Sequence, residues 1–226
     1  MTTPTAPGPF ELETEYSGPA RGADRAVLLA HGAGADMHAA ALTVVADALA
    51  AAKIPCLRFQ YPYRSAGKKA PDRPAVLAAA TRAAAEELSR RSKLPSSRLV
   101  LGGRSMGGRY CSLVAGDADD PVPCLALLLL GYPLHAAGKP EKERSEHFPR
   151  LSMPVLFVSG TRDSLASKPA LTRAARKVKG PKVFHWIDTG DHGFRPLKAS
   201  GLTIDDVLAE VAAASVDWVR GLPGSS

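Results

Sequence analysis

The chain has 226 residues, of which 45% are hydrophobic, 23% charged and 6% aromatic. This composition excludes a disordered, collagenous or coiled-coil protein. The length favours one domain over residues 1–226, with a core at about 25–220 and flexible tails at 1–10 and 221–226. The longest apolar run, around Cys124–Leu130, is the size of a strand and is far shorter than the roughly 20 residues of a membrane helix. The first ten residues lack the basic start and apolar stretch of a secretory signal, so we expect a cytoplasmic protein without membrane association.

The chain is basic, with 29 Lys and Arg against 22 Asp and Glu and a formal net charge of +7. The basic residues are scattered and no nucleic-acid-binding motif is present, so we expect a solvated basic surface and no nucleic-acid partner. Cys56, Cys111 and Cys124 form an odd set with apolar neighbours, which is typical of reduced thiols in a core. The expected partner is a small molecule, and the expected assembly is a monomer or a homodimer.

Short apolar runs alternate with helical patterns along the chain. Glu11–Tyr16 is a candidate for an additional strand that pairs antiparallel at the edge of a sheet. Because several runs are apolar at successive residues, as in strands covered on both faces, the sequence predicts an α/β fold with a doubly wound, mostly parallel sheet. The predicted strands are Ala26–Leu29, Ile54–Phe59, Arg98–Leu101, Cys124–Leu130, Val155–Ser159 and Val183–Ile187, and the predicted helices are 38–52, 75–92, 106–116, 167–179 and 204–220, with Thr203 or Asp205 as a cap of the last.

A strand-type run leads directly into Gly103–Gly107, whose sequence GRSMG fits the G-x-S-x-G pattern, and a helical pattern follows at once. On such a turn a serine has strained backbone geometry that exposes its Oγ at the edge of the sheet, and the glycines avoid clashes with neighbouring strands. The alternatives are an ordinary glycine-rich turn or a phosphate-binding loop, but neither a G-x-G-x-x-G frame nor a Walker lysine is present. Ser105 is therefore the candidate nucleophile.

A nucleophilic serine needs a histidine base and an acid that orients the base. Asp163 follows the strand Val155–Ser159, and His192 follows the strand Val183–Ile187, so both lie where active sites of open α/β sheets collect. We predict the catalytic set Ser105, Asp163 and His192. Asp163 has an alternative role as a turn or helix cap, and Asp191 is too close to His192 in sequence to align with its ring.

The oxyanion hole requires two convergent backbone N–H groups. The N–H of Met106, directly after the serine, is one candidate. The second is predicted in the small-residue loop after the first central strand, at Ala33 or, as second choice, Gly34. His31 in the same loop is interpreted as a structural hydrogen-bonding residue.

Substrate contacts are predicted from residues next to this loop edge. His135 follows the strand that neighbours the serine turn and is expected to line the pocket, together with Gly34 and Arg104. Arg64, Arg73 and Arg109 are further candidates for binding an anionic group. No metal-binding pattern and no dinucleotide fingerprint occur, so we expect neither metal nor cofactor.

Over residues about 25 to 220 the sequence resembles α/β hydrolases. More narrowly, it is similar to bacterial hydrolase-like proteins grouped with testis-expressed protein 30 and with the third subunit of the nonspecific-lethal chromatin complex, which are relatives of dienelactone hydrolase. The resemblance implies the catalytic set named above but no substrate, because the group is mostly of unassigned activity. Dienelactone hydrolase has a cysteine where Ser105 stands, so its lactone specificity is not carried over. The motifs are HGAGA at His31–Ala35, FQYPY at Phe59–Tyr63, PDRP at Pro71–Pro74, GGRSMGGR at Gly102–Arg109, GYPLH at Gly131–His135, GTRD at Gly160–Asp163, and Asp191 with His192.

The insert at Gly131–Pro154, between two predicted strands, is too short for a full helical lid, so we expect a minimal cap or none. The sequence favours a serine hydrolase acting on carboxylic esters or thioesters, with an open site suited to small substrates. A binding or scaffold protein on a hydrolase fold is the alternative, and a lyase or haloperoxidase-type activity is a third hypothesis.

Overall fold

The structure, a computed structural model, describes residues 11–19 and 21–224. The predicted tail at 1–10 lies outside the described residues, as do 225 and 226. In the predicted tail from 221, Leu222 is buried and its carbonyl accepts a hydrogen bond from Arg25. The strands are β1 Thr14–Ser17, β2 Ala26–Ala30, β3 Cys56–Phe59, β4 Leu99–Arg104, β5 Ala126–Leu130, β6 Val155–Gly160 and β7 Lys182–Ile187, and the α-helices are α1 Ala40–Ala51, α2 Pro62–Ser65, α3 Pro74–Ser92, α4 Met106–Ala115, α5 Lys168–Ala175 and α6 Ile204–Arg220.

The strands form one seven-stranded sheet in the order β1-β3-β2-β4-β5-β6-β7. All neighbours are parallel except β1, which pairs antiparallel with β3 at the edge. Every residue of β2 and β5 is buried. Side chains of α3, α4 and α5 share one core with one face of the sheet, and those of α1 and α6 share a second core with the other face. The predicted doubly wound sheet and its antiparallel edge strand are confirmed.

At both ends of helix α6, side chains form hydrogen bonds with backbone groups. Thr203 caps the first turn through a hydrogen bond from the Asp206 N–H, and the Asp206 carboxylate accepts from the Thr203 N–H. Such a reciprocal box satisfies two donors that have no partner inside the helix. At the other end, buried Arg25 donates to the carbonyls of Val219 and Leu222. Of the two predicted caps, Thr203 and Asp205, Thr203 is therefore the residue that caps α6.

Two local features differ from the sequence prediction. The short helix α2 is absent from the predicted helices, and Pro62 at its first position fixes the backbone for one turn. Helix α5 ends at Ala175, four residues before the predicted end, and turn hydrogen bonds follow it up to Val178.

The segment between β5 and β6 contains no α-helix and only one turn of 3₁₀-helix, Phe148–Arg150. Buried His147 attaches the segment to α4 through a hydrogen bond between its Nε2 and the Ser112 Oγ. The predicted minimal cap is confirmed, because this segment lies against the body of the protein and forms no separate lid.

The three cysteines carry free thiols, with Cys56 and Cys111 buried. Burial raises the pKa of Cys56 and of Cys124 to about 12, which disfavours the reactive thiolate at neutral pH. In residues 11–19 and 21–224, none of the helices combines the length and apolarity that crossing a bilayer requires.

Candidate active site

Ser105 lies on a sharp turn between β4 and α4. Its backbone has φ +50° and ψ −116°, a conformation that costs a non-glycine residue free energy and is kept only where the surroundings enforce it. The Ser105 N–H donates to the Leu130 carbonyl at 2.9 Å, which attaches the turn to the neighbouring strand β5. A Cβ atom at Gly103 or Gly107 would overlap the Ala30 carbonyl oxygen. The glycines of the predicted motif therefore allow β2 to pack against the turn.

Ser105, His192 and Asp163 form a continuous hydrogen-bonded chain. The Ser105 Oγ lies 2.9 Å from His192 Nε2, and His192 Nδ1 lies 2.9 Å from Asp163 Oδ2. The Asp163 carboxylate is fully buried, and its Oδ1 accepts from the Leu165 N–H at 2.8 Å. An ionised carboxylate only accepts, so Nδ1 carries the ring proton and Nε2 is free to accept the proton of Ser105.

The register of the parallel sheet explains why these residues meet. Arg104, the residue before Ser105, pairs with Leu130, and at the other side of the site Gly160 pairs with Ile187. Asp163 and His192 follow Gly160 and Ile187 in loops at the same edge of the sheet. Parallel strands present their carboxyl ends together, so residues distant in sequence converge there.

Two backbone N–H groups beside Ser105 are available to an oxyanion. Met106 is the first residue of α4, where an N–H has no partner inside the helix. The Ala33 N–H makes no hydrogen bond to another described residue, while its carbonyl accepts from the Tyr63 hydroxyl at 2.7 Å, which fixes the loop. Both Ala33 and Met106 line the same cavity as Ser105. Gly34 is exposed and does not line this cavity.

His31 is buried below this loop and has both ring nitrogens engaged. Its Nδ1 lies 2.8 Å from the Gly32 carbonyl, and its Nε2 lies 3.1 Å from the Tyr61 backbone nitrogen. Because the Tyr61 N–H is a donor, Nε2 accepts and Nδ1 carries the proton. Burial lowers the pKa of His31, which keeps the ring neutral. The ring thus holds the loop after β2 in place, as the structural interpretation predicted.

The cavity at Ser105 has a volume of about 380 Å³, within the range of small-molecule sites. Its walls come from the loop after β2, the start of α3, the first turns of α4 and the segment after β5. His135 lines it, in the position expected from the sequence, and its Nδ1 lies 2.9 Å from the Ala136 carbonyl. Charged residues also line it, namely Asp72, Arg109 and Arg144. Arg109 was a candidate from the sequence, whereas Asp72 and Arg144 were not.

Arg104 does not line the Ser105 cavity but lines a neighbouring cavity together with His192. Its guanidinium donates to the His192 carbonyl at 2.6 Å and lies over the ring of Phe194 at 5.8 Å. Burial lowers the pKa of Arg104, and the nearby carboxylates of Asp163 and Asp191 oppose that shift. Arg104 is therefore a positioning residue of the His192 loop. This role could not be predicted from the sequence, because a strand pattern does not show where a long side chain ends.

Asp191 also holds the His192 loop. Its Oδ1 accepts from the N–H of Gly193 at 2.7 Å and from that of Arg195 at 2.9 Å. This carboxylate is therefore engaged in its own turn, and Asp163 is the acid that contacts the His192 ring. Within residues 11–19 and 21–224, no three His, Cys, Asp or Glu residues cluster in a way that would hold a metal ion.

A serine on a strained strand-to-helix turn, at the carboxyl edge of a doubly wound sheet, defines the class of α/β hydrolases. The sequence matches the family described as "Alpha/beta hydrolase domain" over residues 23–220, and the chain belongs to this family.

Solved structures with the same fold include several hydrolases. Dienelactone hydrolase from Anabaena variabilis is 20% identical, with a TM-score of 0.71 over 95% of this chain and 94% of that one. Est1E from Butyrivibrio proteoclasticus, solved with ferulic acid, is 15% identical, with a TM-score of 0.69 over 92% and 96%. A serine hydrolase without lid from Xanthomonas campestris is 19% identical, with a TM-score of 0.62 over 95% and 91%. These likenesses establish the α/β-hydrolase fold.

Proposed function

We propose that this protein is a serine hydrolase that cleaves carboxylic esters or thioesters through an acyl-enzyme intermediate. The observation that carries the proposal is the hydrogen-bonded chain from Ser105 through His192 to buried Asp163, with both links at 2.9 Å. The strained turn at Ser105 supports it further, since such strain is typical of a functional position.

In the first half of the reaction, the Ser105 Oγ attacks the acyl carbon while His192 Nε2 takes its proton. The carbonyl oxygen becomes an oxyanion that the N–H groups of Met106 and Ala33 stabilise. The bond from the acyl carbon to the leaving oxygen or sulfur then breaks, and His192 returns the proton to the leaving group. Asp163 holds the ring in the required tautomer and stabilises its protonated form.

In the second half, water attacks the acyl-enzyme with His192 as general base. The acyl carbon then releases the Ser105 oxygen, which recovers its proton from His192. The products are a carboxylic acid and an alcohol or thiol, and the enzyme returns to its starting state. Every proton transfer passes through His192, so the reaction requires no further residue for proton transfer.

The structural neighbours support a hydrolase. One is a dienelactone hydrolase and another is described as a serine hydrolase without lid. Within the family we propose membership of the subgroup related to testis-expressed protein 30 and the nonspecific-lethal complex subunit, on the sequence motifs quoted above. The intact hydrogen-bonded chain favours catalysis over a scaffold role for this member.

Labelling with a fluorophosphonate, read by intact mass, tests the proposal. We expect one adduct on the wild type and none on Ser105→Ala, with labelling slowed at least about 10³-fold in His192→Ala because the base is lost. Ser112→Ala is the matched control, since Ser112 lies on the same helix but bonds His147. A folded wild type that takes no label would overturn the hydrolase proposal and favour the scaffold alternative.

The cavity also predicts a preference for short or polar acyl groups. Charged side chains line it and the segment after β5 adds a wall to it, so a long apolar chain would have to displace water from Asp72, Arg109 or Arg144. We expect 4-nitrophenyl acetate to be cleaved with a higher kcat/KM than the octanoate. The reverse order would contradict an acyl site of this polarity.

A further inference from the structure

The cavity at Ser105 has more positive than negative charge on its walls. Arg109 and Arg144 line it, while Asp72 is the one carboxylate among its described lining residues. Uncharged Ala, Met and Pro side chains supply much of the remaining wall. A charged group in such a setting is costly unless it finds a partner of opposite charge.

The arginines are only partly paired inside the protein. Among the described residues, Arg109 contacts a carboxylate only at Glu146, at 3.6 Å, and that carboxylate is largely exposed, so the contact is weak. The Arg109 Nε is buried and has no hydrogen-bond acceptor among the described residues. The Arg144 backbone is fixed by Leu134 and Tyr132, but its guanidinium makes no hydrogen bond to a described residue. Donors on both side chains therefore remain for a ligand.

Arg109 and the nucleophile line the same cavity, and their backbones are in contact. Arg109 lies one helical turn after Ser105, and its N–H donates to the Ser105 carbonyl at 3.0 Å. Arg109 thus lies in the first turn of α4, next to the strained turn that carries the nucleophile.

The lining residues indicate which half of an ester occupies the cavity. Ser105 and both candidate oxyanion donors line it, but His192 does not. In an acyl-transfer reaction the base must reach the leaving atom, so the leaving group lies on the side of His192. The part of the substrate in this cavity is consequently the acyl group.

We propose that the preferred substrate has an acyl group with its own carboxylate, as in the monoesters of dicarboxylic acids, and that Arg109 and Arg144 bind this carboxylate. This inference rests on the proposed hydrolase function and adds the class of acyl group. Asp72 is the opposing charge: its Oδ2 is buried without a hydrogen-bond donor among the described residues and repels an anion. The lining side chains, two arginines and one carboxylate, carry a net positive charge at neutral pH, and Glu146, the exposed partner of Arg109, is not among them.

The test compares two substrates of equal length. The 4-nitrophenyl monoester of adipic acid has a free carboxylate, and its methyl ester is the neutral counterpart. Adipate is long enough that its carboxylate does not readily cyclise onto the ester, and Ser105→Ala gives the background rate. For the wild type we expect kcat/KM to be at least about 10-fold higher for the anionic substrate, since hydrogen bonds to charged groups are the stronger ones.

Variants then assign the preference to residues. In Arg109→Gln and Arg144→Gln we expect the ratio of the two kcat/KM values to fall at least about 5-fold. Asp72→Asn removes the opposing charge and should raise the ratio, an increase that a folding defect cannot imitate. Arg90→Gln is the matched control, because this exposed arginine lies at the far end of α3. Its ratio should equal that of the wild type.

Three results would overturn the inference. These are a wild-type ratio of one or less, a ratio in Arg109→Gln equal to that in Arg90→Gln, or a fall in Asp72→Asn. A second pair, 4-carboxyphenyl acetate and its methyl ester, places the anion in the leaving group, and a preference found only there would also refute the acyl assignment. Hydrolysis of the neutral esters and Ser105 labelling report the hydrolase function itself. Failure of the charge preference is therefore distinguishable from absence of catalysis.

Discussion

The Asp163→Asn variant tests the proposed role of the buried acid. In the structure Oδ2 of Asp163 faces His192 Nδ1 at 2.9 Å, and Oδ1 accepts from the Leu165 N–H at 2.8 Å. An asparagine can keep its oxygen on the Leu165 N–H, but its NH₂ group then faces Nδ1. Because an NH₂ group only donates, the ring proton moves to Nε2, where it blocks acceptance of the Ser105 proton.

The expected loss in kcat is about 10⁴-fold, as is typical when the wrong histidine tautomer is imposed on such a set. This corresponds to about 5.4 kcal/mol of transition-state stabilisation. The free energy of unfolding should change much less, by about 1 kcal/mol, because the shape is kept and one hydrogen bond is exchanged for another. A large kinetic effect with a small change in stability is thus the signature of the proposed role.

The assay is kcat for 4-nitrophenyl acetate together with urea unfolding of the same preparations. Asp191→Asn is the matched control, since this neighbouring carboxylate bonds N–H groups of its own turn and does not contact the ring of His192. It should retain far more activity than Asp163→Asn. If Asp163→Asn kept more than about a tenth of the wild-type kcat, the reasoning from the tautomer would be refuted.

Three further predictions follow from single contacts. Arg104→Met should lower kcat about 10-fold with little effect on KM, because the His192 carbonyl loses its guanidinium donor at 2.6 Å; an unchanged kcat in steady-state kinetics would contradict this positioning role. Burial lowers the pKa of His147 from 6.5 to about 4. Between these two pH values the unfolded chain binds a proton at this residue and the folded chain does not, so the free energy of unfolding should fall by up to about 3 kcal/mol as the pH drops from 6.5 to about 4. The measurement is the urea midpoint at about pH 7 and at about pH 4.5. The drop in midpoint should be smaller in His147→Gln than in the wild type, whereas the exposed control His38→Gln should drop as much as the wild type. Equal drops in all three proteins would exclude His147 as the cause. Thr203→Ala should cost about 1 kcal/mol in the same unfolding assay through loss of the α6 cap, and an unchanged midpoint would show that the cap contributes nothing.

Much of the fold could be predicted because burial leaves a direct trace in the sequence. The run Ala126–Leu130 is apolar at every position, as a central strand covered on both faces requires. The start of α6 is marked by a threonine with an acidic residue three positions later, which is a local capping signal. Such features depend on a few neighbouring residues, so a single sequence is sufficient to read them.

Other features depend on contacts between distant residues and could not be predicted in the same way. Arg104 was expected to contact substrate, but its side chain contacts the carbonyl of a residue 88 positions later. Asp72 and Arg144 lie in turn-rich segments where no periodic pattern indicates the direction of a side chain. They line one cavity only because the start of α3 and the segment after β5 both pack beside α4.

The same distinction explains why the candidate catalytic residues could be predicted whereas the substrate contacts mostly could not. Ser105, Asp163 and His192 each follow a strand, and parallel pairing alone brings strand ends to one edge of the sheet. Substrate contacts come from the loops and helix faces around that edge, whose packing no strand pattern specifies. His135 is the exception that supports this reasoning, because it too follows directly after a strand and does line the cavity. A position shortly after a parallel strand places a residue at this edge of the sheet, but the direction of its side chain needs the structure, since Gly34 lies four residues after β2 and does not line the cavity.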